Sequence, residues 1–200
     1  MIDAGLPAQA RELEAAIKAV GVDPASIAAV IITHGHADHA GGASYFKETY
    51  GAQIVAGRGD HDMLESGVNN PICPTDFIAR AREEQDLGAR YAPTAVDHWV
   101  EAEAIELGPL AGIEGTILPL PGHTPGSLVV IVGEAAFVGD LIRGSLVSSA
   151  VRTHFYMCDL DDNRADVRAL LERHAPGASR FFMGHFGPAS REAVGAWLGD

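Results

Sequence analysis

Apolar and polar positions along the chain alternate in two ways, and the difference separates helices from strands. Residues 8–20 place Ala10, Leu13, Ala16, Ile17 and Val20 at helical spacing and close on Gly21, which predicts a helix. Residues 27–33, Ile-Ala-Ala-Val-Ile-Ile-Thr, are almost continuously apolar and rich in β-branched side chains, the pattern of a strand buried on both faces. Met1–Ala4 reads as the end of a strand, and Gly5-Leu6-Pro7 as a turn. A helix is expected over 41–49, a short strand over 53–56, and a helix over 75–87 opened by Pro74-Thr75-Asp76. Strands follow at 97–100, 103–107, 114–119, 127–132 and 135–138, punctuated by Gly108-Pro109, Pro121-Gly122 and Gly133-Glu134. A loop over 141–160 then leads to a helix at 162–174, with Asp161 or Asp162 as its cap, a strand at 180–183 and a helix at 189–198. Strand-helix alternation, a meander of strands, and a return to alternation predict an α/β (α+β) fold of two packed sheets with helices outside.

Composition narrows this picture a little. The 200 residues are 47% hydrophobic and 20% charged, which suits one globular domain spanning 1–200. Acidic residues outnumber basic ones 27 to 14, for a net charge of −13, and Lys18 and Lys47 are the only lysines. That balance repels phosphate backbones and disfavours a nucleic-acid partner. No apolar run approaches the roughly 20 residues of a membrane span, and the N-terminus lacks the features of a signal peptide. The expectation is a soluble, cytoplasmic protein acting on a small molecule. Cys73 and Cys158 fit no metal or redox spacing and read as reduced thiols, able to pair only if the fold brings them together.

The chemistry concentrates in Thr33-His34-Gly35-His36-Ala37-Asp38-His39, directly after the buried strand. In an extended segment, residues two apart point the same way, so His34 and His36 can converge on one ion. Asp38 and His39 lie one step further on and suit a second ion beside it. Imidazole and carboxylate are ligand types that Zn²⁺, Fe²⁺ and Mn²⁺ accept. A polar turn with incidental histidines is the competing reading, and three of the nine histidines within six residues weigh against it. His123 in Pro121-Gly122-His123-Thr124-Pro125-Gly126-Ser127, Asp140 at the end of Ala135–Asp140, and His185 in Gly184-His185 each follow a predicted strand. Taken singly, these read equally well as a turn residue, a cap and a backbone-bonded histidine.

Together, the three positions and the histidine run resemble the metallo-β-lactamase superfamily, and within it the glyoxalase-II-like (hydroxyacylglutathione hydrolase-like) branch. The resemblance extends from Met1-Ile2-Asp3-Ala4-Gly5 to Gly184-His185. It implies a four-layered αβ/βα sandwich with the site at one edge. It further implies that His34, His36 and His123 bind one metal, that Asp38, His39 and His185 bind a second, and that Asp140 bridges them. The implied activity is that of a zinc hydrolase in which a metal-bridging hydroxide cleaves an ester, thioester or lactone, with Asp38 orienting the nucleophile and moving its proton. Iron or manganese could replace zinc.

The departures from the family pattern limit the substrate. Glyoxalase II enzymes carry a third histidine where this chain has Gly35, and their glutathione-binding basic residues have no evident counterpart. Acyl-homoserine-lactone lactonases place a tyrosine soon after the bridging aspartate; here Leu141-Ile142-Arg143 follows, and the nearest tyrosine is Tyr156. Asp140 argues against a true β-lactamase. Family members also begin with two or three further strands, so the resemblance implies a sandwich without the first N-terminal strands and an open sheet edge, from which a homodimer is expected. Segments 57–95 and 141–158 are expected to line the substrate pocket, with Arg143, Arg152, His154 and Tyr156 as candidates for a polar or acidic substrate group. Solvated or capping roles fit those four equally well. His61, His98 and His174 read as surface or structural residues, and Glu83, Glu84 and Asp86 as a solvated helix face. Two other functions suit the motifs: a mononuclear iron persulfide dioxygenase, and a catalytically silent metal-binding or interaction module.

Overall fold

A computed structural model of the chain describes residues 1–70 and 72–199. Three parallel strands, β1 (Ala29–Ile31), β2 (Gln53–Gly57) and β3 (His98–Val100), form one sheet in that order. The meander supplies β4 (Ile105–Glu106), β5 (Thr116–Pro119), β6 (Leu128–Val132) and β7 (Ala135–Gly139). A small hairpin of β8 (Arg143–Gly144) and β9 (Val151–Arg152) precedes β10 (Arg180–Met183) and β11 (Ala189–Ser190). The second sheet runs β11-β10-β7-β6-β5-β4, with β10 parallel to β7 and the other pairs antiparallel. The helices are α1 (Ala10–Ala19), α2 (Ala37–Ala40), α3 (Ala43–Tyr50), α4 (His61–Ser66), α5 (Phe77–Leu87), α6 (Gly108–Ala111), α7 (Leu160–Ala169) and α8 (Arg191–Gly199).

Period-two alternation makes the layers. Val30, Ile32, Ile54 and Ala56 turn to one side and pack with Phe46 and Leu64. Their neighbours Ala29, Ile31 and Val55 turn the other way and meet Leu107, Ile117, Leu128 and Val130 of the facing sheet. The remaining face of that sheet, Leu118, Val129, Val138 and Phe181, packs with Val167, Leu170, Val194 and Trp197. The result is a four-layered αβ/βα sandwich. An open apolar cleft of about 980 Å³ lies beside its edge, lined by Ile2, Leu13, Ile31, Val130, Phe137 and Phe182 among others.

Several elements differ from those the sequence predicts. The helix expected over 41–49 is α3, which starts at Ala43; the short α2 precedes it, and between them Gly42 has a steric reason, since a Cβ there would lie 2.3 Å from the Ala4 carbonyl oxygen. The helix expected at 162–174 starts at Leu160, capped by Asp159 rather than Asp161 or Asp162, and its last turn, Leu170–His174, is π-helical. Residues 141–160 are not all loop, since they contain the β8–β9 hairpin. Residues 189 and 190 pair with β10 before the last helix begins. The cysteine expectation is overturned as well. Cys73 and Cys158 form a disulfide, with Cα atoms 4.9 Å apart and a sequence separation of 85. The fold supplies the proximity: Met157 N–H donates to the Cys73 carbonyl (2.8 Å), and Thr75 N–H to that of Phe155 (2.8 Å). No helix among the described residues is long and apolar enough to cross a membrane.

Candidate metal centre

The parallel strands β7 and β10 end at the same edge of the sandwich, and the segment leaving β1 reaches that edge too. His34 and His36 lie in the segment after β1, where the Leu128 N–H donates to the Thr33 carbonyl (2.7 Å) and ties the two sheets together. Asp38 and His39 begin α2, His123 occupies the β5–β6 turn, Asp140 follows β7, and His185 follows β10. Two donor groups result, each with its ligand atoms within 4.8 Å of one another: His34, His36 and His123, and Asp38, His39, Asp140 and His185. Asp140 stands between them. Its Oδ2 lies 3.7 Å from His34 Nε2, 4.0 Å from His123 Nε2 and 3.4 Å from His185 Nε2, and its Oδ1 lies 3.4 Å from His39 Nε2.

The inner nitrogens face inward because the outer ones are engaged. His39 Nδ1 is 2.8 Å from Asp3 Oδ2, and His123 Nδ1 is 3.1 Å from the Tyr156 carbonyl. Such partners fix the imidazole tautomer and aim Nε2 at the centre. His34 Nε2 and Asp140 Oδ1 are buried with no hydrogen-bond partner among the described residues. Buried polar atoms are rarely left so, and convergent lone pairs of nitrogen and oxygen fit a divalent cation.

Electrostatics divides the histidines. Burial and neighbouring imidazoles hold His34 and His123 well below the ordinary histidine value, and burial brings His36 to about 4. Burial also acts against charge on His39 and His185, but Asp140 with Asp3, and Asp140 with Asp38, outweigh it. His39 is held well above its usual value and His185 at about 10. For Asp140 and Asp38 burial pushes upward and the adjacent imidazoles win, leaving Asp140 far down and Asp38 at about 2. The centre thus places neutral and protonated imidazoles beside two carboxylates kept ionised.

Two further aspartates build the frame, Asp3 in the Met1–Gly5 segment of the family resemblance and Asp60, which has no recognisable sequence signal. Asp3, in a left-handed conformation at φ 55°, accepts from Thr33 N–H (2.7 Å) and Thr33 Oγ1 (2.8 Å) besides contacting His39. Asp60, 1% exposed, accepts from Gly35 N–H (2.8 Å), Gly126 N–H (2.8 Å) and Thr124 Oγ1 (2.7 Å). It therefore clamps the His34–His36 loop to the His123 loop. Gly35 has a steric reason, since a Cβ there would lie 2.9 Å from Met63 Cε and 3.0 Å from Met63 Cβ. Gly184 has another, with its Cβ position 2.3 Å from Asp140 Oδ1.

The centre opens into a cleft of about 590 Å³ whose walls include Asp38, Asp140, His185, Leu6, Ile78, Leu146, Phe155 and Phe186. The four substrate-group candidates are dispersed by the fold. Arg143 turns its guanidinium onto Phe155 (4.0 Å to the ring centroid) and toward Asp76 (3.6 Å), and Arg152 is exposed opposite it on β9; neither lines this cleft. Tyr156 lines it, but its hydroxyl donates to Asp86 (2.6 Å), so Asp86 is a buttress rather than part of a solvated face. His154 is buried at the candidate metal centre, 3.0 Å from Asp140 Oδ2. His61, His98 and His174 lie away from the centre, and His98 Nε2 contacts Gln53 Oε1 (3.1 Å).

Comparison with known proteins agrees with this architecture. The family model for the metallo-beta-lactamase superfamily matches residues 1–185. A hydroxyacylglutathione hydrolase GloC from Haemophilus influenzae is 29% identical over 145 residues, covering 71% of this chain and 61% of its own length. A hydroxyacylglutathione hydrolase from Anaeromyxobacter dehalogenans is 33% identical over 142 residues, covering 71% of this chain and 41% of its own. The chain thus spans about three fifths of the first relative and less of the second. Among solved structures, a metallo-beta-lactamase family protein from Thermus thermophilus aligns with a TM-score of 0.67 at 22% identity, covering 99% of this chain and 67% of that one. A subclass B3 metallo-beta-lactamase of Bradyrhizobium japonicum aligns at 0.62 with 24% identity, covering 91% and 65%. With the family match running from the first residue to His185, and the fold shared over nearly its whole length, the chain belongs to the metallo-β-lactamase superfamily.

Proposed function

We propose that the chain is a dinuclear metal-dependent hydrolase that cleaves an ester, thioester or lactone of a small-molecule substrate. The observation that carries this reading is Asp140, whose carboxylate lies within 4.0 Å of imidazole nitrogens from both donor groups. His34, His36 and His123 would hold one ion, Asp38, His39 and His185 the other, and Asp140 both. Imidazole with carboxylate and no thiolate suits zinc, with iron and manganese as the alternatives. Two such ions, when bound, acidify a shared water toward a pKa of about 7 and polarise a substrate carbonyl.

The chain's own groups do the rest. Asp38, 40% exposed and ionised, borders the cleft and would orient the attacking water and carry its proton to the leaving group. The cleft rim offers Leu6, Ile78, Leu146 and Phe186, each at least 40% exposed, to an apolar acyl group. Arg82 in the same cleft is bound to Asp86 (2.9 Å), which supports an uncharged acyl portion over an anionic one. The two relatives named as hydroxyacylglutathione hydrolases support a thioester among the three bond types.

The test is elemental analysis of the purified chain together with turnover of acyl thioesters, aryl esters and lactones. Two ions per chain are expected, with hydrolysis reduced about 10²–10⁴-fold in Asp38→Ala. One iron per chain, oxygen uptake with a persulfide and no hydrolysis would refute the proposal.

A further inference from the structure

His154 stands outside both donor groups, yet it is 3% exposed and its ring packs against His123 (centroids 4.9 Å apart) and His185 (5.4 Å). Its position is closely determined. His154 Nδ1 lies 3.3 Å from the Tyr156 carbonyl, and as donor there it leaves the lone pair on Nε2; Thr75 Oγ1 donates to the His154 carbonyl (2.7 Å), and the Cys73–Cys158 disulfide closes the segment. With Nδ1 turned to the backbone, Nε2 faces Asp140 Oδ2 at 3.0 Å, and it makes no hydrogen bond there despite that distance. A buried imidazole nitrogen left without a hydrogen bond beside a buried carboxylate oxygen is a pairing that suits two ligands of one cation. The donor atoms of His123, Asp140 and His154 indeed lie within 4.8 Å of one another.

We propose that His154 is a further metal ligand of this chain, binding through Nε2 the ion that His123 and Asp140 hold. The inference rests on the dinuclear reading above and adds one ligand to its set. An additional imidazole raises the coordination number of one ion and leaves the other unchanged.

Cobalt(II) titration of metal-free protein tests the assignment without any activity measurement. Wild type is expected to bind two Co²⁺. In His154→Ala and His154→Gln one of the two ions should bind at least about tenfold more weakly, the loss known for groups that support a metal site. The visible Co²⁺ bands should change in position and intensity, and free imidazole should restore them in His154→Ala. Circular dichroism of the metal-free variants separates a lost ligand from a lost fold, and the glutamine variant keeps the test usable if the alanine variant unfolds. Wild-type affinity and an unchanged spectrum in a folded variant overturn the inference while leaving the dinuclear reading intact. A wild type that binds no cobalt overturns both.

Discussion

The Cys73–Cys158 disulfide joins residues 85 apart and holds the segment that carries His154 and the carbonyl facing His123. Chain-entropy arguments for a loop of this size give about 4.6 kcal/mol of stabilisation, and measured values are commonly about 2–4 kcal/mol. Reduction, or the Cys73→Ala/Cys158→Ala double variant, should therefore lower the melting temperature by about 4–16 °C, at about 2–4 °C per kcal/mol for a domain of this length. The loss is global in origin but has a local consequence. The Met157–Cys73 and Thr75–Phe155 backbone bonds, each 2.8 Å, remain and keep the segment in place, so metal affinity should fall by less than the about 10–100-fold of removing a supporting group outright. Thermal melts followed by circular dichroism, with and without reductant, measure the first effect, and chelator competition the second. Two free thiols titrating in the native, non-reduced protein would refute the pairing. A reduced chain that melts with the oxidised one would refute the claim that the bond constrains it.

Three further outcomes follow from contacts around the centre. Asp60→Asn turns an amide N–H toward one of three donors and should cost about 1–3 kcal/mol in denaturant unfolding, with weaker metal binding because both histidine loops lose their clamp. Gly35→Ala should cost about 1–3 kcal/mol by overpacking, and combined with Met63→Ala it should be less destabilising than the sum of the two changes; additive losses would mean that Met63 is not what excludes a side chain there. Protonated His185 and His39 must become neutral to bind metal, so loading should release protons and affinity should rise with pH, as calorimetry in buffers of different ionisation enthalpy would measure. The sign reverses for the metal-free protein. The raised value of His185 contributes stability that is complete below its ordinary 6.5 and is lost as pH climbs through about 10.

Much of the site was legible from local order. The continuously apolar run before Thr33 marks β1, and the histidines follow it at a spacing that brings them together. His123, Asp140 and His185 each follow a strand, as their sequence context predicts, and the fold gathers those strand ends at one edge. The order of elements, strand-helix alternation on either side of a meander, likewise carried two packed sheets with helices outside, and the family resemblance carried the four-layered sandwich.

What surrounds the candidate ligands was not legible, and the reason is one of distance along the chain. Asp3 meets His39 across 36 residues, Asp60 meets Gly126 across 66, and Cys73 meets Cys158 across 85. No periodicity encodes such pairs; they exist only once the sheets have packed. His154 was legible as a candidate for substrate, and the fold instead turned its Nε2 inward onto Asp140. Arg143 was claimed by an aromatic face and a carboxylate from another segment. The sequence supplied seven candidate metal-binding side chains and the strands that deliver them, though not His154. Tertiary packing decided how His39 and His123 are oriented, because the partners of their outer nitrogens, Asp3 and the Tyr156 carbonyl, are brought within hydrogen-bonding distance only by the folded chain.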